Sequence, residues 1–156
     1  MEHKDKMMKR RWLAVASLMA LAACAAPPPP AVIDLNILAG ADQNPSTTGA
    51  PTAVQVFLYQ LASTAKFEAS DVFALPERAQ ATLGTALLAS ETLVVAPGET
   101  KSYVKEAKIG TTALGVVVFF RDVDHATWRA MGAVAKNGPS AMNLTIKGLI
   151  ATLAPR

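Results

Sequence analysis

Apolar residues occupy every second position over 33–37 and again over 54–58, which is the pattern of strands with one buried face. Residues 114–120 instead form an unbroken apolar run rich in valine, which predicts a central strand covered on both faces. Within that run, Val116, Val118 and Phe120 are expected to point to the same side. These three segments indicate a domain built mainly from β-sheet.

Further β-rich segments cover residues 87–95, 127–134 and 142–149. The first is followed by Pro97 and Gly98, which suit a tight turn, and then by alternating residues over 101–105. We therefore expect 87–95 and 101–105 to pair as a hairpin. The total of about seven or eight strands predicts an all-β sandwich.

A small helical insertion is predicted at about 62–86, between the second and third strands. Ser70 is a suitable N-cap, Pro76 can occupy the first turn of a helix, and Gly84 is a helix stop signal. The apolar side chains in this segment are expected to complete the core.

The N-terminal 23 residues have the features of a lipoprotein signal peptide. A basic head precedes a run of about ten apolar residues over 12–21, which is too short to span a bilayer. The run ends at Leu21-Ala22-Ala23-Cys24, and Cys24 is the only cysteine in the chain. We predict that residues 1–23 are removed and that Cys24 receives a diacylglycerol and an N-acyl chain. An ordinary secretory signal and a buried free thiol are the alternatives.

Residues 24–31 are predicted to be the lipidated N-terminus and a stiff spacer, because they contain four successive prolines, and residues 32–156 to be the sandwich domain. Ala25 follows the cysteine, where aspartate typically retains lipoproteins in the inner membrane. We therefore expect the protein in the inner leaflet of the outer membrane, facing the periplasm.

The net charge of +3 belongs to the signal peptide. Five of the 15 Lys and Arg residues and two of the 12 Asp and Glu residues lie in residues 1–23, so ten of each sign remain. A nucleic-acid partner is therefore not expected, since binding to phosphates needs clustered positive charge.

The residues that catalysis usually requires are scarce after the signal peptide. His125 is the only histidine there, and no Gly-x-Ser-x-Gly motif or phosphate-binding glycine loop is present. Asp122, Asp124 and His125 lie close together and resemble metal ligands, but a turn between two strands is the better interpretation. We expect no enzyme activity, no cofactor beyond the lipid, no metal and no small-molecule substrate.

The order of short motifs along the whole chain after the signal peptide resembles the outer-membrane lipoprotein of the type VI secretion system, the TssJ family. The matching features are the cysteine motif, Asn44-Pro45, Gly49-x-Pro51, the strand 54–61, Phe67, Asp71, Leu75, Leu93, Pro97-Gly98-Glu99, Phe120-Arg121-Asp122 and Trp128-Arg129. The resemblance implies a transthyretin-like β-sandwich. It also implies that the protein anchors the membrane core complex by binding the periplasmic C-terminal region of TssM.

In that family the loop between the first two strands contributes to the partner contact, and residues 40–52 correspond to it here. The resemblance implies a partner-binding role for the central eight positions, and their polar composition predicts that they are exposed. A merely solvated connection is the alternative. The eight residues are Asp42, Gln43, Asn44, Pro45, Ser46, Thr47, Thr48 and Gly49.

Two other functions stay open at this point. A ligand-binding or carbohydrate-binding sandwich would use exposed aromatic side chains, for which Trp128, Tyr59 and Tyr103 are the candidates, although Trp128 beside Arg129 suggests packing. A lipid-anchored periplasmic hydrolase would depend on His125.

Overall fold

The computed structural model describes residues 26–156, which form eight strands in two four-stranded sheets and two short helices. The predicted signal peptide and Cys24 lie outside the described residues. In chain order the elements are β1 (Ala31–Ala39), β2 (Val54–Leu61), α1 (Ala65–Ala69), α2 (Ala74–Leu83), β3 (Leu87–Val95), β4 (Thr100–Glu106), β5 (Ala113–Phe119), β6 (Arg129–Ala133), β7 (Gly138–Lys147) and β8 (Ile150–Pro155).

The first sheet has the strand order β4-β1-β7-β8, and the second sheet has the order β3-β2-β5-β6. The predicted fold class, a β-sandwich of seven or eight strands with a helical insertion, is confirmed. The C-terminal region differs from the prediction, because the expected strand over 142–149 is a longer β7 followed by a separate strand, β8. These two strands form an antiparallel hairpin.

β1 is paired on both sides, parallel to β7 and antiparallel to β4. Its predicted alternation is confirmed, since Ile33, Leu35 and Ile37 are each 0% exposed. These side chains face the second sheet and pack in the core between the sheets. β1 therefore lies in the middle of its sheet, with one face buried against the second sheet.

β5 has the central position that its apolar run predicted. Val116, Val118 and Phe120 lie in the core between the two sheets, as expected, and are fully or almost fully buried. The alternate residues Ala113 and Val117 face the helical insertion on the other side of the sheet. Both faces of this strand are therefore covered, which explains the absence of polar positions in it.

The helical insertion packs on the outer face of the second sheet through Phe67. A Cβ atom at Gly115 would lie 2.9 Å from two ring carbons of Phe67, so only glycine lets this ring lie directly on β5. The ring also packs against Tyr59, with 5.9 Å between the ring centroids. Glycine at position 115 thus sets how closely the insertion approaches the sheet.

The prediction of Ser70 as the N-cap is wrong, because α2 begins after Phe73 and the side chain that bonds to its first N–H groups is that of Asp71. The Asp71 carboxylate accepts hydrogen bonds from the backbone N–H groups of Ala74 (2.8 Å) and Phe73 (2.9 Å) at the start of α2, and these bonds lower the pKa of Asp71. Ser70 instead donates to the Lys66 carbonyl at the end of α1. Gly84 ends α2 with φ 58°, as predicted.

The predicted hairpin between 87–95 and 101–105 is wrong. The tight turn exists, with the Glu99 N–H donating to the Ala96 carbonyl at 3.1 Å and Gly98 at φ 72°. However, β3 pairs with β2, whereas β4 pairs with β1 over seven positions in the other sheet. The turn therefore carries the chain from one sheet to the other, because pairing with distant strands outweighs the local preference.

The strand directions place the connections at two opposite ends of the sandwich. One end, the loop end, carries the connections 40–53, 96–99, 120–128 and 148–149. The other, the N-terminal end, carries the chain entering β1, the connections 107–112 and 134–137, and the end of β8. Since β1 has nine residues, the two ends are about 30 Å apart.

Truncation of the central aromatic residue should destabilise the sandwich strongly. Phe120→Ala leaves a cavity in the core and is expected to lower the free energy of unfolding by about 3–5 kcal/mol. Chemical denaturation of the purified protein without residues 1–23 measures this change. Val94→Ala, at a 55% exposed position, is the control and should change stability little. An equal effect of the two substitutions would contradict the assignment of Phe120 to the core.

Candidate partner-binding site

The connection 40–53 is held on the loop end by backbone hydrogen bonds to β7 and to its turn into β8. The Gly40 N–H donates to the Ile146 carbonyl at 2.7 Å, and the Asn44 N–H donates to the Gly148 carbonyl at 2.8 Å. The loop therefore crosses over the end of the first sheet before it enters β2 in the second sheet.

Gln43 was predicted to be exposed, and this is wrong, since its exposed fraction is 0%. Its side-chain amide donates to the carbonyl of Val95 at 2.9 Å and to that of Thr52 at 3.3 Å. The side chain thus ties the loop to the end of β3. Its Oε1 atom is buried without a hydrogen-bond partner among the described residues.

Asn44 is also buried, at 2% exposure, contrary to the prediction. Its amide nitrogen donates to the Thr52 hydroxyl (2.7 Å) and the Ala53 carbonyl (2.9 Å), and its Oδ1 accepts from the Arg121 N–H (2.8 Å). Its φ of 47° is in the left-handed region, which asparagine tolerates better than most residues. Gln43 and Asn44 together form an amide clasp that joins the loop to β3 and to the connection after β5.

The rest of the loop is an exposed turn, the loop tip, formed by residues 46–50. It is closed by a hydrogen bond from the Ser46 N–H to the Ala50 carbonyl (2.8 Å) and by one from the Gly49 N–H to the Ser46 carbonyl (2.9 Å). The hydroxyls of Ser46 and Thr48 also lie 2.9 Å apart. Thr47, Thr48 and Gly49 are exposed. Of the eight predicted positions, these three and Asp42 are exposed and therefore accessible to a partner.

Asp42 precedes the amide clasp, Pro45 follows it, and Ser46 is the first residue of the loop tip. Asp42 is exposed, whereas Pro45 and Ser46 are partly buried. The structure therefore brings six of the eight predicted residues to the surface and places the other two inside. The signal for the two buried amides in the sequence was weak, because the local pattern is polar throughout.

An open groove of about 860 Å³ runs beside the loop and was not anticipated from the sequence. It is lined by the β7–β8 turn, by Asp42 from the loop and by His125 from the connection after β5. Ile150, at 55% exposure, supplies apolar surface to it. Exposed apolar surface beside an accessible loop is a common feature of protein interfaces.

The segment 122–125 forms a turn, as the sequence indicated. Residues Val123–His125 make one turn of 3₁₀-helix, and His125 Nδ1 lies 2.8 Å from Asp122 Oδ1. This hydrogen bond to the carboxylate raises the pKa of His125. Within residues 26–156, no three His, Cys, Asp or Glu side chains are grouped so that they could hold a metal ion.

The aromatic candidates for a carbohydrate platform are engaged in packing. Tyr59 is 1% exposed, and its burial raises the pKa of its hydroxyl. Tyr103 is also buried. Trp128 packs under the Arg129 guanidinium at 4.8 Å, and that guanidinium donates to three carbonyls at the end of α1, those of Phe67, Glu68 and Ser70.

The profile of the type VI secretion lipoproteins (T6SS-SciN; VasD, EvfM, TssJ) matches residues 31–149. The chain belongs to this family. The predicted resemblance is confirmed, and the match covers every strand except β8. No curated protein sequence matches the chain significantly.

Solved structures agree with this family. The crystal structure of the T6SS lipoprotein TssJ1 from Pseudomonas aeruginosa is 30% identical, covers 82% of this chain and 98% of its own, and has a TM-score of 0.79. A chain of a type VI membrane complex is 25% identical, covers 80% of this chain and 98% of its own, and has a TM-score of 0.71. A chain from a structure of the T6SS protein TssM C-terminal domain from EAEC is 24% identical, with coverage of 81% and 99% and a TM-score of 0.65.

The family is one of structural lipoproteins of the secretion system and is not known as a family of enzymes. Among residues 26–156, no helix is long and apolar enough to cross a membrane.

Removal of the Asn44 amide should loosen the whole loop end. Asn44→Ala leaves the Arg121 N–H and the Ala53 carbonyl without their partner and places alanine at a positive φ, so a loss of about 1–3 kcal/mol of stability is expected. Thermal unfolding measures it. Thr48→Ala, in the exposed loop tip, is the matched control and should be nearly neutral. Equal melting temperatures for both variants would contradict the clasp.

Proposed function

We propose that this lipoprotein anchors the membrane core complex of the type VI secretion system to the outer membrane by binding the periplasmic C-terminal region of TssM. Membership of the TssJ family supports the assembly, and a chain of similar fold occurs in a structure of the TssM C-terminal domain. The lipid on Cys24 would hold the protein in the inner leaflet, facing the periplasm.

One observation carries this proposal: the chain from Cys24 enters β1 at one end of the sandwich, and the exposed loop tip lies at the opposite end. The intervening strand spans about 30 Å. A domain tethered by its N-terminal end can therefore present the loop on the side away from the membrane. This is the arrangement that a tether between a bilayer and a periplasmic partner requires.

The chemistry of the loop end suits recognition of a protein surface. Residues 46–50 carry no charged side chain, so the tip offers hydroxyls and backbone groups for hydrogen bonds at little desolvation cost. The adjoining groove adds apolar surface from Ile150. The tip is already closed by internal hydrogen bonds, which reduces the entropy lost on binding.

Shortening the loop tip should weaken TssM binding without unfolding the domain. Because the Ser46 N–H and the Ala50 carbonyl are hydrogen-bonded, a Gly-Ser linker can replace residues 46–50 while Gln43 and Asn44 keep their contacts. We expect at least a tenfold loss of affinity for the periplasmic domain of TssM by isothermal titration calorimetry.

The control for this experiment is Asn137→Gly at the N-terminal end, which should bind as the parent does. Unchanged affinity of a tip variant with a parental melting temperature would move the binding surface away from the loop tip. A parent domain that does not bind would contradict the proposed partner.

Loss of the acylated cysteine should release the protein from the membrane. One acyl chain gives marginal binding, whereas the several chains of a mature lipoprotein give a stable anchor. Cys24→Ser is therefore expected to leave the outer-membrane fraction or to accumulate unprocessed, as judged by fractionation and by the mass of the N-terminal peptide. A Cys24→Ser protein that fractionates with the outer membrane as the parent does would contradict the lipid anchor.

A further inference from the structure

Ile109 is the most exposed large apolar side chain of the described residues, at 100% exposure, and the proposed partner contact does not use it. It lies in the connection between β4 and β5, at the end of the sandwich opposite the loop tip. A fully solvated isoleucine gains nothing from folding. Its position relative to the lipid anchor suggests what it contacts.

Two backbone hydrogen bonds place this end of the molecule beside the chain that leads to the anchor. The Ala107 N–H donates to the Ala31 carbonyl at 2.8 Å, and the Gly138 N–H donates to the Pro30 carbonyl at 3.1 Å. The connections 107–112 and 134–137 therefore flank the first residues of β1. Both turns lie where the N-terminal segment leaves the domain.

The segment outside the sandwich limits the distance to the bilayer. Six residues, 25–30, separate the acylated cysteine from β1, and the seven residue spacings from Cys24 to Ala31 span roughly 22 Å at about 3.1 Å per residue. Four of them are prolines, which keep the segment stiff. The N-terminal end must therefore remain within this distance of the membrane surface.

The charges around Ile109 favour a lipid surface. Lys108 precedes it and Lys136 lies in the other flanking turn, both are exposed, and neither forms an ion pair with another described residue. Lys105 is paired with Glu91, and Glu106 is the exposed acid beside these lysines. Arg156 is paired with Asp34. The two unpaired lysines and one glutamate give these two turns and the adjoining end of β4 a net charge of +1.

We infer that Ile109, Lys108 and Lys136 form a second membrane contact, in which the isoleucine enters the interfacial region and the lysines approach anionic headgroups. This inference rests on the proposed lipid anchor. The contact would hold the sandwich upright, with the loop tip directed away from the bilayer. The anchor alone would leave the domain free to tumble about its spacer.

Site-specific fluorescence can test this contact in the full lipidated protein. Since Cys24 is the only cysteine and is acylated in the proposed protein, an introduced cysteine is the single free thiol. Ile109→Cys is labelled with an environment-sensitive nitrobenzoxadiazole dye and reconstituted into vesicles of phosphatidylethanolamine and phosphatidylglycerol. Lipids that carry a nitroxide near the headgroup should quench the dye at least twofold.

Two labelled variants are the controls. Ile150→Cys, at 55% exposure on the loop end, should show no quenching. Val104→Cys, at 62% exposure in β4, lies on the same half of the molecule but outside the contact. Its quenching measures the effect of proximity to the bilayer without insertion. Quenching should decrease in the order 109, 104, 150.

Removal of the two charges completes the test. In the labelled Ile109→Cys protein, the double substitution Lys108→Gln and Lys136→Gln should reduce the quenching. In the labelled protein that keeps both lysines, 0.5 M salt should also reduce the quenching, because salt screens exposed charges. Unchanged quenching would overturn the role of the lysines.

The outcomes separate this inference from the proposed anchor. The protein could float with the vesicles while the label at position 109 is no more quenched than the label at 104 or 150. This result would overturn the second contact only. Protein that does not float with the vesicles overturns the lipid anchor and, with it, this inference.

Discussion

The structure of the loop end depends on the hydrogen bonds of two buried side-chain amides, those of Gln43 and Asn44. Gln43 and Asn44 together bond to the end of β3, to the start of β2 and to the connection after β5. A buried polar group without a partner costs more than its hydrogen bond contributes, so these partners hold each other in place. The loop tip is presented by a base that cannot move without breaking this network.

The N-terminal end is organised differently, because backbone bonds rather than side chains fix it. β1 is paired on both sides, and the carbonyls of Pro30 and Ala31 accept hydrogen bonds from the first residue of β7 and from Ala107 in the turn after β4. Backbone hydrogen bonds thus fix the described chain from Pro30 into β1. β1 therefore connects the proposed lipid anchor at one end of the sandwich with the proposed partner site at the other end.

The sequence predicted well those features that depend on local pattern. The alternation in β1, the two-sided burial of β5 and the stop at Gly84 follow from periodicity or from a single backbone preference. The hairpin between β3 and β4 was wrong because a Pro-Gly turn does not specify whether its two strands share a sheet. The N-cap prediction was wrong because Asp71, next to Ser70, is an equally suitable hydrogen-bond acceptor for the first N–H groups of α2.

The sequence predicted that a polar loop joins the first two strands, but not which of its residues are buried. Gln43 and Asn44 look like solvated loop residues, since their partners Val95 and Arg121 are 52 and 77 positions away. The groove at Ile150 could not be recognised either, because it forms only when the β7–β8 turn meets the loop. Accessibility at the loop end is therefore a tertiary property.

The course of β1 also has a mechanical consequence. In the proposed arrangement, tension between TssM at the loop tip and lipid at Cys24 passes along the covalent backbone of a single strand. The hydrogen bonds to β4 and β7 lie across this direction, so the load does not have to travel through the rest of the sandwich. β1 then carries the tension while the rest of the two sheets surrounds it, and the domain need not unfold to transmit the force.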